Sequence, residues 1–255
     1  MNVRELYDIL NKKIPKELSC EWDNDGLMCC PDGSREVKKI LVTLDVTAGA
    51  ISYARENQID VIISHHPFIF KGLKAINEES HIALGAMELI RGGISVMSFH
   101  TRLDALCGGV NDTLAELLEL SKIIPFGNGG EEIGRIGEAE GEITLFELAE
   151  KVKDVTGAPC VLVADAKKKV KRVALLGGEG GDDIGAAIAA GADTYVSGRL
   201  GYHNMTDAPE RGINLIEAGH FYTEFPVCFT LEKMIKEIDP KISTEVYYSN
   251  RIMCV

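Results

Sequence analysis

The sequence predicts an α/β protein of two α/β domains that arise from an internal duplication. Strand patterns alternate with helix patterns along the chain, which is typical of βαβ units and of a largely parallel sheet. Three segments also recur in the same order in the two halves of the chain. Because ligands bind beyond the carboxyl ends of strands in such sheets, we expect a cleft between the two domains at their strand ends.

Helix caps and apolar runs define the elements of the first half. Asn2 followed by Glu5 is a capping-box pattern, and apolar residues then recur at helical spacing up to Pro15. Thr47 is placed to cap the next helix, and glycines 92 and 93 close another. In chain order we predict a helix over residues 2–14, a strand over 39–44, a helix over 47–54, a strand over 61–64, a helix over 82–90, a strand over 94–99 and a helix over 111–118.

Glycine-rich segments at residues 127–130 and 134–141 mark the predicted domain boundary. A second capping box, Thr144 with Glu147, then begins a helix that ends near Gly157. Residues 225–238 have the pattern of an amphipathic helix and residues 244–248 that of a final strand. We expect both to return to the first domain. The predicted domains are residues 1–126 with 225–255, and residues 127–224.

The internal repeat rests on three pairs of matching segments. The first two pairs are strand patterns, of which the first begins with a lysine and the second with an aspartate. In the third pair an arginine and a glycine precede an apolar segment, which ends in a histidine followed four positions later by a carboxylate. The matches are Lys38–Thr43 with Lys171–Leu176, Asp60–Ser64 with Asp193–Ser197, and Arg91–Asp104 with Arg211–Glu224. They predict a duplicated α/β module whose two sheets each supply ligands to one cleft.

Composition excludes several classes of protein. The 255 residues are 45% apolar and 26% charged, which is ordinary for a globular protein, and no apolar run approaches the roughly 18 residues that span a bilayer. The first residues lack the apolar stretch of an export signal. The seven cysteines form no C-x-x-C pair, so we expect reduced thiols and a cytoplasmic protein. The net charge of −12 disfavours nucleic acid as a partner.

Metal-ligand residue types follow three predicted strands. His65 and His66 come directly after the strand over residues 61–64, and Pro67 favours a turn that could bring both rings to one side. Two other predicted strands end in a histidine that is followed four positions later by a carboxylate, His100 with Asp104 and His220 with Glu224. Each signal alone also fits a buried or a surface histidine, but together they predict a divalent-metal site, and a two-metal one fits best.

Other motifs have plainer interpretations. The segment Gly177–Gly181 lies between a strand and a helix like a phosphate cradle, but it lacks the lysine of such loops and carries acids, so we predict a tight turn. The basic run Lys167–Arg172 fits a solvated turn before a strand. Trp22, the sole tryptophan, is either the anchor of a loop or a ring that stacks on a base.

Taken together, the motifs resemble those of the GTP cyclohydrolase I type 2 family, also called the Nif-three-like dinuclear-metal proteins. The motifs are, in chain order, Trp22-Asp-Asn-x-Gly-Leu27, Ser64-His-His-Pro67, His100-Thr-x-x-Asp104, Ser197-Gly with His203, and Gly219-His-x-x-x-Glu224. The resemblance covers essentially the whole chain. It implies two α/β domains, two divalent metal ions and a toroidal homohexamer. The ligands it implies are His65, His66, Asp104, His220 and Glu224, with Glu224 as the bridge.

The resemblance also implies a reaction, the opening of the imidazole ring of GTP with release of formate. His100 and His203 would then be candidates for proton transfer, and Trp22, Arg102 and Arg199 candidates for substrate binding. Arg199 stands where the family often has an acid. The metal could be Zn, Fe, Mn, Co or Ni. Two alternatives are a metallohydrolase of another small molecule or phosphoester, and a non-catalytic metal-binding ring that serves regulation or interaction.

Overall fold

The computed structural model describes residues 1–255, and these residues form two compact units. Unit 1 consists of Met1–Leu103 with Cys228–Arg251, and unit 2 of Asp104–Val227 with Ile252–Val255. Each unit has a sheet of its own, of five strands in unit 1 and six in unit 2, with helices packed on it. The predicted α/β fold class is therefore confirmed. No helix combines the length and the apolar character that crossing a bilayer requires.

Unit 1 is built on a mainly parallel sheet with the strand order β1-β4-β3-β2-β11. Its strands are β1 (Gly26–Cys29), β2 (Lys39–Thr43), β3 (Val61–Ser64), β4 (Ser95–Ser98) and β11 (Ser243–Tyr247). All neighbouring pairs are parallel except β1, which runs antiparallel to β4. β3 and β4 are buried along their whole length, as expected for central parallel strands covered on both faces.

The helices of unit 1 begin and end where the caps predict. The Asn2–Glu5 capping box is formed, Thr47 caps the second helix, and Gly93 takes a left-handed φ of 66° after the third. The helices are α1 (Val3–Lys13), α2 (Ala48–Glu56), α3 (His81–Gly92), α4 (Thr101–Ala105) and α10 (Val227–Ile238). Buried apolar side chains of α2 and α3, including Ile51 and Leu89, pack on Leu41 and Ile62 of the sheet. This packing holds the helices on the sheet and so positions the sheet edge where β3 and β4 end.

Unit 2 has a mixed sheet with the order β5-β6-β8-β9-β10-β7. Its elements are β5 (Ser121–Asn128), β6 (Glu131–Ile143), β7 (Leu162–Ala164), β8 (Val170–Glu179), β9 (Thr194–Arg199), β10 (Asn214–Glu217), α5 (Val110–Leu117), α6 (Leu145–Thr156), α7 (Ile184–Ala189), α8 (Tyr202–Asp207) and α9 (His220–Glu224). Strands β8, β9 and β10 are parallel neighbours, and the other pairs are antiparallel. The Thr144–Glu147 capping box and Gly157 bound α6 as predicted.

The glycine-rich segment that predicted a domain boundary is instead a β-hairpin inside unit 2. Gly129 and Gly130 have φ values of 61° and 95°, which suit the two-residue turn between β5 and β6. A side chain on Gly127 would collide with the backbone oxygen of Glu131 across this hairpin. Glycine here serves a tight turn and a close strand approach, which a composition change alone does not distinguish from a linker.

The observed units also divide the chain differently from the predicted ranges. Residues 104–126 were predicted to belong to the first domain, whereas they belong to unit 2. The reason is that α5 packs on β6 and β8, and β5 pairs with β6. The chain returns to unit 1 at Cys228.

The matched segments occupy similar places in the two sheets. In unit 1 the consecutive strands β2, β3 and β4 are parallel neighbours, and in unit 2 β8, β9 and β10 are parallel neighbours too. The third strand of each set also has an antiparallel strand on its far side, β1 beside β4 and β7 beside β10. This similarity agrees with a duplicated module, although the common origin of the two halves stays a prediction.

Candidate metal centre

Three histidines of unit 1 meet at one edge of its sheet. His65 and His66 follow the end of β3, and His100 follows the neighbouring strand β4. The ring centroid of His65 lies 5.0 Å from that of His66 and 5.3 Å from that of His100. One ring nitrogen from each of the three lies within 4.8 Å of the others. The carboxyl ends of parallel strands thus bring together imidazoles that are far apart in sequence.

The backbone after β3 turns so that His65 and His66 can both contribute. The amide of His66 donates to the carbonyl of Leu44 at 3.0 Å, and the hydroxyl of Ser64 donates to the carbonyl of His66 at 2.8 Å. The two histidines lie in a bend rather than in the extended strand. Adjacent side chains of a strand would point to opposite faces, so the predicted turn before Pro67 is confirmed.

Hydrogen bonds select the ring nitrogen that each histidine can offer. Nδ1 of His65 lies 3.0 Å from the carbonyl oxygen of Phe99, and Nδ1 of His66 lies 2.7 Å from a carboxylate oxygen of Asp45. A carbonyl oxygen and an ionised carboxylate only accept, so Nδ1 carries the proton and donates. In the neutral ring the lone pair is then on Nε2. Metal-binding histidines in proteins are usually held in this way.

Unit 2 gathers a second group of ligand-type side chains around Glu224. Helix α9 places His220 and Glu224 one turn apart, and His220 Nε2 lies 3.1 Å from Glu224 Oε2. A carboxylate oxygen of Asp104 lies within 4.8 Å of one of Glu224. Asp104 and Glu224 are 7% and 4% exposed, which is unusual for carboxylates unless a cation or hydrogen bonds compensate them.

Glycines at the ends of β8 and β9 allow α9 to pack closely. Gly178 has a φ of +72°, and a side chain there would collide with the carboxylate of Glu224. A Cβ on Gly198 would lie 2.7 Å from Cα of His220. The segment Gly177–Gly181, predicted as a tight turn, is therefore mainly the end of β8, and it makes room for the two side chains of α9.

Asn111 and Thr223 position this second group, and the sequence patterns did not reveal either role. Asn111 is fully buried, donates from Nδ2 to the carbonyl of Asp104 at 3.3 Å, and accepts from the amide of Gly177 at 2.7 Å. The hydroxyl of Thr223 accepts from the amide of Gly178 at 3.1 Å. Asn111 was predicted only as part of a helix start, because its partners are distant in sequence.

His100 is held by a buried carboxylate. Its Nδ1 lies 2.9 Å from Asp23, whose other carboxylate oxygen accepts from the hydroxyl of Thr101 at 2.6 Å. Burial by itself raises the pKa of Asp23, but the hydrogen bonds from His100 and Thr101 outweigh it and lower the pKa from 3.8 to about 2. His203, the other predicted proton-transfer residue, lies exposed on α8 and belongs to neither ligand group.

Arg102, predicted as a substrate contact, is a buried structural residue. Its Nε donates to Asp25 at 2.9 Å, and its Nη1 donates to Asn11 at 2.6 Å and to the carbonyl of Ile14 at 3.0 Å. The guanidinium also lies 4.6 Å from the ring centre of Phe99. A side chain with no exposed surface cannot meet a substrate, so the sequence-based role is wrong. The sequence could not reveal that Asp25 pairs with this arginine.

The other predicted substrate contacts are exposed. Arg199 ends β9, and its Nε lies 3.9 Å from a carboxylate oxygen of Glu179, with both side chains mostly in solvent. Such a pair is weak and leaves the guanidinium able to bind other anions. Trp22 is 59% exposed, and its ring contacts those of His100 and Phe70. Both residues therefore stay candidates for substrate binding.

Unit 1 also contains a cavity beside its helices. It has a volume of about 500 Å³ and lies between α2 and α3, lined by Ile51, Phe68, Arg55 and Glu88 among others. None of the candidate ligands lines it. The cavity is therefore formed by other residues than the two groups of candidate ligands.

Comparison with known proteins places the chain among relatives of similar length. A family model described as Duf34/NIF3 (NGG1p interacting factor 3) matches residues 1–253. A Clostridium perfringens protein named GTP cyclohydrolase 1 type 2 homolog is 32% identical over 242 residues, 93% of this chain and 92% of that protein. The Schizosaccharomyces pombe Protein NIF3 homolog is 33% identical over 235 residues, 86% of this chain and 84% of that protein. The crystal structure of Staphylococcus aureus protein SA1388 has a TM-score of 0.88 and 26% identity, and the match covers 100% of this chain and 99% of that chain.

The burial of Arg102 gives a prediction for stability. Arg102→Leu leaves Lys16 as the charged partner of the buried Asp25 carboxylate, and removing one partner of a buried pair costs up to about 3–5 kcal/mol. We expect the free energy of unfolding in urea to fall by about this amount. The control is Arg91→Leu, which removes an exposed guanidinium paired with Glu88 and should change stability by less than about 1 kcal/mol. Equal stability of the two variants would contradict the structural role of Arg102.

Proposed function

The chain belongs to the Duf34/NIF3 family, and from that premise we propose that it is a hydrolase that depends on two divalent metal ions, of the GTP cyclohydrolase type. Curated relatives that carry this name support the proposal. The observation that carries it is that Nδ1 of both His65 and His66 lies within hydrogen-bond distance of an oxygen acceptor, which leaves Nε2 as the nitrogen for a ligand. Two adjacent imidazoles prepared in this way suit a cation better than a core-packing role.

We propose five ligands, His65 and His66 from unit 1 and Asp104, His220 and Glu224 from unit 2. Neutral imidazoles with carboxylates suit borderline divalent ions, so Zn, Fe, Mn, Co and Ni are all compatible with the donors. Glu224 is proposed as the bridging ligand, because its carboxylate lies close to both His220 and Asp104. The carboxylates of Glu224 and Asp104 are buried and lie close enough to each other to share a cation.

The side chains around the ligands have separate proposed tasks. The bound ions would supply Lewis acidity for hydrolytic opening of the imidazole ring of GTP, with release of formate. His100 would accept a proton at Nε2, since Asp23 holds the proton of the ring on Nδ1. His203 is the second candidate for proton transfer. Trp22 would contact the base, and Arg199 the phosphates.

The assembly proposed for the chain is a toroidal homohexamer, which follows from the family resemblance. A small-molecule nucleotide is the proposed ligand, and the net charge of −12 argues against nucleic acid. Light scattering coupled to size exclusion at micromolar concentration should give six times the mass of the chain. A stable monomer would refute the ring.

Replacing Asp45 tests the observation on which the proposal rests. Asp45→Asn keeps the shape of the side chain but removes the charged acceptor that orients the ring of His66, so metal affinity should fall roughly 10- to 100-fold. The affinity would be measured with zinc in competition with a chromophoric chelator. Asp8→Asn, on the exposed side of α1, is the matched control and should leave it unchanged. Identical zinc affinity in both variants would count against His66 as a ligand.

Replacing Glu224 tests the reaction. Glu224→Gln removes one negative charge from the proposed bridge, so metal content should fall and formate release from GTP should cease, while the circular dichroism spectrum stays the same. Glu210→Gln, an exposed position of unit 2, serves as control. Both proteins would also be assayed with a general phosphatase substrate, which separates GTP ring opening from phosphoester hydrolysis. A fully metallated wild-type protein inactive in both assays would favour the regulatory ring instead.

A further inference from the structure

An exposed aromatic surface lies beside the histidines of unit 1, and it consists of Trp22, Phe70 and His100. The three ring centroids are mutually 6.2 Å apart, with interplanar angles between 75° and 86°. Trp22 is 59% exposed and Phe70 is 46% exposed. Two large rings that keep so much surface in water, side by side, form a patch of the kind that marks a binding site.

The segment that presents Trp22 is anchored on both sides of the ring. The amide of Cys20 donates to the hydroxyl of Thr101 at 3.0 Å, and Asp23 accepts from the amide of Thr101 at 3.0 Å. The side chain of Asn24 donates to the carbonyl of Ile69, the residue before Phe70. Trp22 and Phe70 are therefore held in place relative to each other. A preorganised ring binds a ligand without the entropy loss of ordering a loop.

The patch adjoins the histidines proposed to bind metal. His100 belongs to it, and its ring lies 5.3 Å from that of His65 and 5.7 Å from that of His66. A planar molecule stacked on Trp22 or Phe70 would therefore lie beside His100, whose ring borders those of His65 and His66. The nearby arginine, Arg102, is buried against Asp25 and is not part of this surface. The patch thus offers a ligand its three rings, and Lys71 is exposed next to Phe70 in the chain.

We infer that Trp22 and Phe70 form a stacking platform for a planar heteroaromatic ring, and that Phe70 is a specificity-determining residue. The inference rests on the proposed function in taking the edge with His65 and His66 as the reaction site. It names the substrate class by its ring: a purine or a related heterocycle is bound through its face, and contact with the phosphates is left to Arg199. Base–aromatic stacking is tolerant of base identity, so the platform distinguishes heteroaromatic from non-aromatic compounds.

The sole tryptophan makes the platform directly observable. Guanosine and adenosine should both quench the fluorescence of Trp22 in the metal-loaded protein, with dissociation constants within about tenfold of that for GTP. Ribose 5-phosphate and inorganic triphosphate should cause no quenching, because neither offers a ring. Binding constants would be checked by calorimetry, which also serves variants without the fluorophore.

Variants separate the platform from general effects on the fold. Phe70→Ala should weaken guanosine binding roughly 10- to 100-fold, and Phe70→Tyr should restore it, since tyrosine keeps the ring. Trp22→Phe should retain much of the calorimetric affinity, whereas Trp22→Ala should lose it. The matched control is Phe146→Ala, which removes an exposed ring from α6 of unit 2 and should leave binding unchanged. Metal content should be equal in all five variants.

The outcomes distinguish this inference from the proposed function. Ring-dependent quenching without formate release supports the platform and contradicts the proposed GTP cyclohydrolase activity. A metal-loaded wild-type protein that binds GTP and triphosphate equally well, or ignores guanosine, overturns the platform while the metal centre stands. If Phe70→Ala and Trp22→Ala change only the mass of the assembly, the patch is covered by a second copy of the chain, and the inference is wrong.

Discussion

The hydrogen bonds at Nδ1 of His65 and His66 are the constraint on which the candidate site depends. A neutral imidazole has one donor and one acceptor nitrogen, and each of these rings has its donor committed to an oxygen of the protein. The acceptor nitrogen is thereby fixed before any ligand arrives. The oxygens come from Phe99, the first residue after β4, and from Asp45, the second residue after β2. The parallel order of β2, β3 and β4 thus places the acceptors beside the two rings. The tautomers that a metal site needs therefore depend on the strand order of unit 1.

Unit 2 reaches a comparable result by a different physical route, the close approach of a short helix to two strand ends. Helix α9 can contribute both His220 and Glu224 only because Gly178 and Gly198 leave space where any side chain would collide. The amides in this region then bond to buried side-chain oxygens of Asn111 and Thr223. A buried backbone amide must find an acceptor, so these polar residues hold the glycine-rich strand end in place. The same hydrogen bonds thus hold the strand end in position and give its buried amides their acceptors.

The sequence predicted what is local and missed what is tertiary. Capping boxes and buried parallel strands were predicted well, because each signal lies within a few residues of the element that it defines. The long hairpin of β5 and β6 was taken for a boundary, since β5 is largely exposed and lacks an apolar period. The spacing of the histidines and carboxylates predicts a metal site, and the family resemblance implies which five of them are ligands, which stays a prediction. Arg102 could not be placed in the same way, because a cation with a buried partner and a cation in a binding site look identical in a sequence.

Charge and aromatic surface together constrain how this chain can hold a substrate. With a net charge of −12, the protein repels an anion at long range, although salt at physiological strength screens the repulsion beyond roughly 8 Å. With Arg102 buried, unit 1 offers rings rather than that cation beside its histidines. Stacking on a fixed ring is indifferent to salt and to the sign of the protein's charge, so it can act where electrostatic steering is unfavourable. A cation bound by the histidines and carboxylates would reverse the sign of the local field. Binding of an anionic nucleotide should then depend on metal loading, whereas binding of its uncharged base should not.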